Sequence, residues 1–296
     1  MGYTVWTSEA GRDRLEAWYD RFLARVPAPV DRRVVTTSLG PGTALVAGPE
    51  AAPPLVCLHA MRTGAAHLLS ELGPLLDRFR VVAPDLPGQS VYGPQTKLKL
   101  DDDSYAVWLA EVFDALGLGA ANVFGVSWGG FVARQFAVAR PARVRKLGLL
   151  VPAGIVNGSH WKGLTRMALP MLRYRLRRTD RNLRRLLAPL LTTWDDDWAG
   201  FMGDGMWDMV LDLRIPPLAT DAELRGLSMP TLVLGASDDI SFPGGPLVAR
   251  AKALIPGVDT EVMTNCKHCP PTTDEFRHWL AARLTGFFKE RDGQPV

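Results

Sequence analysis

The chain has 296 residues, of which 47% are hydrophobic and 22% are charged, and its formal net charge is +3 at pH 7. These values are typical of a globular protein with one large domain, or a domain with an added lid, and a sizeable core. The small charge gives no reason to expect a nucleic-acid partner, and no apolar run is long enough to span a bilayer. The first residues lack the basic-then-apolar layout of a signal peptide and only three cysteines are present, so we expect a cytoplasmic protein without a disulfide framework.

The apolar pattern predicts helices and strands in alternation. A helix is expected at 8–25, then two short strands at 33–39 and 43–47 that form a hairpin around residues 40–42, at the open edge of a sheet. Apolar runs at 55–58, 79–83, 120–126 and 144–151 are typical of buried parallel strands, with helices at 65–76 and 104–116. Strands at 230–236 and 259–264 and a helix from 273 to about 289 complete a doubly wound, mostly parallel α/β sheet.

Residues 152–229 interrupt this alternation with a stretch rich in Trp, Met, Leu and Arg at helical spacing. An insertion at this point lies over the carboxyl ends of the strands, where open α/β sheets bind ligands. We therefore predict a core of residues 1–151 and 230–296 and a helical cap of residues 152–229. Its basic stretch at 173–185 fits either a site for anionic lipid or an acidic partner, or a solvated helix face, which we favour. The side chains expected to line a pocket, or alternatively to pack within the cap, are Trp161, Met167, Met202, Met206 and Trp207.

The residues Gly125-Val126-Ser127-Trp128-Gly129 lie between a predicted strand and a predicted helix. This is the strand–turn–helix context of a nucleophile elbow, in which a strained turn exposes the serine hydroxyl above the sheet. A Cβ at either glycine would press the helix away from the strand. The pattern therefore predicts Ser127 as a catalytic nucleophile.

An acid and a histidine follow the serine after two later strands, in the chain order Ser…Asp…His. The strand at 230–236 leads into Ser237-Asp238-Asp239, and the strand at 259–264 leads into His268. A serine hydroxyl needs a base within hydrogen-bond reach, and a carboxylate fixes the tautomer of that base. Cys266 and Cys269 flank His268 as a C-x-x-C pair; they fit a redox or metal pair, or two thiols on the histidine loop, which we favour.

Together these motifs resemble the α/β-hydrolase fold family, and in particular bacterial carboxylesterases with a helical cap. The residues that carry the resemblance are Leu58-His59-Ala60-Met61, Asp85-Leu86-Pro87-Gly88, the elbow, Gly235-Ala236-Ser237-Asp238 and Asn265-Cys266-Lys267-His268. The resemblance implies that Asp238 is the triad acid, that His268 is the base and that the loop at Asp85 is structural. Lys267 stands where the family usually has glycine, which places a cation beside the base.

The resemblance also implies an oxyanion hole formed by the backbone N–H groups of Met61 and Trp128. Ala60 stands where the family usually has glycine. His59 is expected to organise this loop and not to act as the base. Arg62 could reach an anionic substrate, but an outward-facing surface arginine is the favoured interpretation.

These expectations describe a serine hydrolase that cleaves a small, largely apolar carboxylic ester through an acyl-enzyme, with no metal or cofactor and no membrane partner. The alternatives are a C–C bond hydrolase, lactonase, perhydrolase or acyl transferase that uses the same triad, or a non-catalytic ligand-binding member of the fold. The sequence leaves the oligomeric state open.

Overall fold

The computed structural model describes residues 2–289, apart from the side chain of Lys162, so the end of the predicted core domain, 290–296, lies outside the described residues. Within the described residues, eight strands form one sheet in the order β1-β2-β4-β3-β5-β6-β7-β8. The strand β2 is antiparallel to β1 and β4, and the remaining neighbours are parallel. The strands are β1 (Val30–Thr37), β2 (Gly40–Ala47), β3 (Pro54–Leu58), β4 (Arg80–Pro84), β5 (Ala121–Val126), β6 (Val144–Leu150), β7 (Thr231–Ala236) and β8 (Asp259–Met263).

The helices begin and end close to their predicted positions. The predicted helix at 65–76 is shorter, because it ends at Glu71 and is followed by a 3₁₀ turn, Gly73–Leu75, that contains Pro74. The predicted hairpin turn at 40–42 is displaced, because Gly40 already pairs with Thr37 in β2. The helices are α1 (Glu9–Leu23), α2 (Ala65–Glu71), α3 (Ser104–Ala115), α4 (Trp128–Ala139), α5 (His160–Gly163), α6 (Leu169–Leu176), α7 (Asp180–Leu187), α8 (Asp196–Asp208), α9 (Asp221–Arg225), α10 (Gly244–Leu254) and α11 (Asp274–Phe288).

Apolar layers cover both faces of the sheet. Along β3, Val56 and Leu58 pack with α3, α4 and α10, whereas Leu55 and Cys57 pack with α1, α2 and α11. Successive side chains of a strand point to opposite faces, so a run that is apolar at every position can serve both layers. This confirms the predicted doubly wound, mostly parallel sheet.

The segment between β6 and β7 is helical, as expected, and holds α5 to α9 with a π-helical turn, Leu164–Ala168, between α5 and α6. Its small apolar cluster includes Tyr174, Leu186 and Leu191. Met167, Met202, Met206 and Trp207 pack against that cluster, whereas Trp161 is 72% exposed. The division into a core and a cap remains a prediction. Across residues 2–289, each helix is too short or too polar to cross a membrane.

Candidate active site

Ser127 occupies the turn between β5 and α4. Its backbone lies at φ 52° and ψ −110°, in the left-handed region that a residue with a side chain rarely adopts. The flanking glycines make this turn possible by close backbone contact. A Cβ on Gly129 would lie 2.1 Å from the carbonyl oxygen of Leu58, and one on Gly125 would lie 2.3 Å from the carbonyl oxygen of Gly129.

A chain of hydrogen bonds joins three side chains above the carboxyl ends of the strands. Ser127 Oγ lies 3.0 Å from His268 Nε2, and His268 Nδ1 lies 2.8 Å from Asp239 Oδ2. With Asp239 ionised, Nδ1 carries the ring proton and donates it to the carboxylate, while Nε2 accepts from the serine hydroxyl. The structure therefore brings the predicted Ser127 and His268 together, as nucleophile–base catalysis requires.

The carboxylate at His268 belongs to Asp239, so the expectation that Asp238 takes this position is wrong. Asp238 is exposed and lies in the turn after β7, where its backbone N–H donates to the carbonyl oxygen of Cys266 at 2.8 Å. That contact fixes the turn and directs the next side chain, Asp239, toward the ring. The side chains of adjacent residues point in different directions. The family spacing of three residues after Gly235 therefore selects Asp238, whereas the carboxylate at His268 is that of the next residue.

Asp239 is held by three donors. Its Oδ1 accepts from the backbone N–H groups of Ser241 at 2.7 Å and Phe242 at 3.0 Å, while Oδ2 faces His268. Burial raises the pKa of this carboxyl. The charge and hydrogen bond of His268 and the two backbone amides lower the pKa by more than burial raises it, so the pKa lies below its usual value. Asp239 is therefore ionised at neutral pH, although its side chain is fully buried.

The loop after β3 is organised by His59, as expected. His59 Nε2 accepts from the N–H of Leu86 at 2.9 Å, so Nδ1 carries the proton and donates to the carbonyl oxygen of Ala60 at 2.8 Å. Burial lowers the pKa of His59 to about 4. A neutral imidazole fixed at both nitrogens holds the loop and cannot serve as the base.

The two expected oxyanion donors lie on this loop and on the elbow. Trp128 is the first residue of α4, and Met61 is half-buried against the apolar layer beside α4. Within residues 2–289, neither backbone N–H donates to a protein acceptor. Their role in holding an oxyanion remains a prediction.

The ammonium of Lys267 is directed away from the histidine. Its Nζ donates to the carbonyl oxygens of Ala188 at 2.8 Å and Leu191 at 3.1 Å, at the carboxyl end of α7. A cation in this position complements the partial negative charge of a helix end. Lys267, which stands where the family usually has glycine, therefore links the histidine loop to the helical segment.

The cysteines around His268 are free thiols. Burial raises the pKa of Cys266 to about 11 and that of Cys269 to about 12. A reactive redox cysteine needs the opposite shift, because the thiolate is the nucleophile. Among the residues that the structure describes, His, Cys, Asp and Glu side chains form no group of three that could hold a metal ion.

Asp85 has the structural role expected of it. It accepts from the hydroxyl of Tyr19 at 2.8 Å and from the N–H of Ala65 at 2.9 Å, at the start of α2. Arg62 differs from expectation. Its side chain is partly buried, and its Nη1 is fully buried without a hydrogen-bond partner in the described chain, so its interpretation as an outward surface arginine is wrong.

Known proteins resemble this chain in sequence and in fold. The family described as alpha/beta hydrolase fold matches residues 53–274. The chain is 26% identical over 283 residues to an uncharacterized carboxylesterase, nap, of Bacillus subtilis strain 168, with 93% of this chain and 92% of that protein covered. It is 24% identical over 262 residues to carboxylesterase YbfK of the same strain, with 84% and 86% covered. The crystal structure of naproxen esterase from Bacillus subtilis superposes with a TM-score of 0.80 at 23% identity, with 94% of this chain and 98% of that chain covered.

Proposed function

Since this chain is a hydrolase that belongs to the α/β-hydrolase fold family, we propose that it cleaves a small, largely apolar carboxylic ester through Ser127, His268 and Asp239. The observation that carries the proposal is the hydrogen-bonded chain from Asp239 through His268 to a serine in a strained elbow. The relatives named carboxylesterases support the choice of an ester as substrate. The cytoplasm remains the predicted location.

The proposed reaction begins with the serine. As Ser127 Oγ attacks the ester carbonyl, its proton moves to His268 Nε2, and the buried carboxylate of Asp239 stabilises the imidazolium that forms. His268 then gives this proton to the leaving alkoxide, and the alcohol departs from the acyl-enzyme. Water then attacks the acyl-enzyme carbonyl while His268 Nε2 takes a proton from it, and return of that proton to Ser127 Oγ releases the carboxylic acid and regenerates the serine. Every proton transfer therefore passes through His268 Nε2.

The carbonyl oxygen acquires negative charge during both attacks. We assign its stabilisation to the N–H groups of Met61, in the loop after β3, and Trp128, at the start of α4, because neither has an acceptor in the described protein. A correctly aimed donor is worth about 3 kcal/mol in such a transition state. Ala60 in place of glycine leaves the N–H of Met61 available, because a methyl group on Cα removes no donor.

The test combines covalent labelling with hydrolysis. Purified protein is treated with a fluorophosphonate probe and, separately, assayed on p-nitrophenyl esters of increasing acyl length. We expect stoichiometric labelling and a loss of about four to six decades in kcat for Ser127→Ala. The matched control is Ser237→Ala, an exposed serine beside the acid.

Three results would contradict the proposal. An absence of labelling together with an absence of hydrolysis would indicate a non-catalytic binding protein. Labelling at another residue would remove Ser127 from the mechanism. Turnover above a tenth of the wild-type value in a folded Ser127→Ala variant would do the same.

A further inference from the structure

One guanidinium nitrogen of Arg62, Nη1, is buried and has no hydrogen-bond partner in the described chain. Three described arginines have a buried Nη1 without a hydrogen-bond partner: Arg25, Arg62 and Arg134. Arg25 forms ion pairs with Asp195 and Asp197, and Arg134 lies 3.5 Å from a carboxylate of Glu223. Arg62 alone among these three forms no ion pair in the described chain.

A buried guanidinium donor without a partner costs folding free energy unless a ligand supplies an acceptor. A guanidinium keeps its charge at any ordinary pH, so it cannot escape burial by losing a proton. Burial lowers the pKa of Arg62, although the nearby Asp212 partly offsets this. Buried charges in proteins are normally paired, and a buried unpaired donor costs more free energy than a paired one gains.

The charges around Arg62 leave the surroundings positive. The carboxylate of Asp212 already accepts from Arg214 at 2.6 and 2.9 Å and lies 3.3 Å from Lys97. Its charge is therefore shared with two other cations. The second charged group that acts on Arg62 is Arg175 of α6, which repels it. These groups together carry a net positive charge, which favours an anion.

In the chain, Arg62 stands next to one of the two proposed oxyanion donors. Arg62 follows Met61 directly and adopts φ 53°, a conformation held by a hydrogen bond from its N–H to Oε1 of Gln89 at 3.1 Å. Neighbouring Cα atoms are about 3.8 Å apart, so the Arg62 side chain reaches no farther than roughly 10 Å from the Met61 backbone. This reach is similar to the distance between the ester group and a second functional group of a small substrate.

We propose that Arg62 is a specificity-determining residue that binds a carboxylate of the substrate, so that the preferred ester is largely apolar but carries one anionic end. This inference rests on the proposed function, because it names the substrate class of the same site. The planar fork of arginine suits a carboxylate, which it binds through two parallel N–H···O bonds. The carboxylate can belong to the acyl part or to the alcohol part of the ester, and both arrangements offer the same chemistry to Arg62.

Paired substrates distinguish these two sources. For the acyl part, mono-p-nitrophenyl glutarate is compared with its neutral counterpart, p-nitrophenyl pentanoate. For the alcohol part, 4-carboxyphenyl butyrate is compared with 4-methylphenyl butyrate. We expect the wild-type protein to favour the anionic member of one pair in kcat/KM, and Arg62→Met to lower that preference by about 10- to 100-fold.

Two further variants control for charge and for folding. Arg62→Lys keeps the charge without the fork and is expected to retain part of the preference. Arg181→Met removes the same charge from an exposed position on α7 and is expected to keep the preference. Binding of monomethyl glutarate to Ser127→Ala, with and without Arg62→Met, measures the site by calorimetry without catalysis.

The outcomes separate this inference from the proposed function. If neutral esters are hydrolysed and Arg62→Met leaves both substrate ratios unchanged, the anion site is refuted and the esterase stands. If no ester is hydrolysed but monomethyl glutarate binds in a manner that depends on Arg62, the esterase is refuted and the anion site stands. Equal binding by Ser127→Ala with and without Arg62→Met also refutes the anion site.

Discussion

Replacing Asp239 by asparagine tests the triad most directly, because the structure specifies which hydrogen bonds survive. The side-chain oxygen of the new amide can still accept from the N–H groups of Ser241 and Phe242, which now lie 2.7 and 3.0 Å from Asp239 Oδ1. The amide NH₂ group then replaces Oδ2 and donates to His268 Nδ1. The loop therefore keeps its backbone contacts while the histidine loses its acceptor.

The expected loss follows from the tautomer. An NH₂ donor at Nδ1 forces the ring proton onto Nε2, which lies 3.0 Å from Ser127 Oγ and must accept the serine proton. The imidazolium also loses its compensating carboxylate. In serine hydrolases with this arrangement the effect is about 10⁴-fold in kcat, equivalent to about 5.5 kcal/mol. The free energy of unfolding should change by only about 1 kcal/mol, because both amides keep an acceptor.

The matched control is Asp238→Asn, which removes an exposed carboxylate one residue away. Turnover of p-nitrophenyl acetate and urea unfolding are measured for both variants and the wild type. We expect Asp238→Asn to stay within a few-fold of wild-type kcat. A larger loss in Asp238→Asn than in Asp239→Asn would refute the assignment of the acid and the tautomer argument with it.

Three further variants test the supports of the site. Gly129→Ala should lower kcat and should also lower the free energy of unfolding by several kcal/mol, since its Cβ would lie 2.1 Å from a backbone oxygen. Gly119→Ala, with open space around it, should lower neither by a comparable amount, and equal effects of the two variants in urea unfolding would contradict this. Lys267→Met should lower the free energy of unfolding by about 1 kcal/mol, because it removes the cation at the end of α7. The control is Lys99→Met, which removes an exposed lysine outside any helix, and an equal urea midpoint for the two variants would argue against the Lys267 contact. His67→Phe should flatten the fall in stability below pH 6.5: burial holds the pKa of His67 well below 6.5, so the unfolded chain binds a proton that the folded chain excludes, and stability is lost by up to about 1.4 kcal/mol per pH unit as pH falls. An unchanged slope of unfolding free energy against pH would contradict it.

The strands and the elbow could be predicted because local patterns determine them. Apolar runs specify the buried strands, and the glycines around Ser127 are required by contacts within one strand–turn–helix unit. The choice between Asp238 and Asp239 could not be predicted in this way. It depends on a hydrogen bond from the Asp238 backbone to Cys266, which is distant in sequence.

The orientation of Arg62 shows the same limit. Its neighbours in the sequence do not indicate burial. The charged groups that act on Arg62 in the folded protein, Asp212 and Arg175, lie more than a hundred positions later in the chain. A long polar side chain next to an apolar strand is usually a surface residue. Both charged groups that act on this arginine belong to the segment between β6 and β7, whose path the local sequence does not specify.

The attachments of that segment explain how the site keeps its geometry. Leu191 pairs with Cys269, Thr192 donates its N–H to the Cys269 carbonyl oxygen at 3.1 Å, and the Lys267 N–H donates to Thr192 Oγ1 at 2.8 Å. The histidine loop is therefore bonded on one side to the segment after α7 and on the other to the turn that carries the acid. His268 is held between two fixed backbones, so its ring can meet both Ser127 and Asp239 without a flexible loop having to be ordered during the reaction. Ordering that is already complete in the free protein lowers the entropy cost of reaching the transition state, and this is the physical role that the histidine loop and the helical segment share.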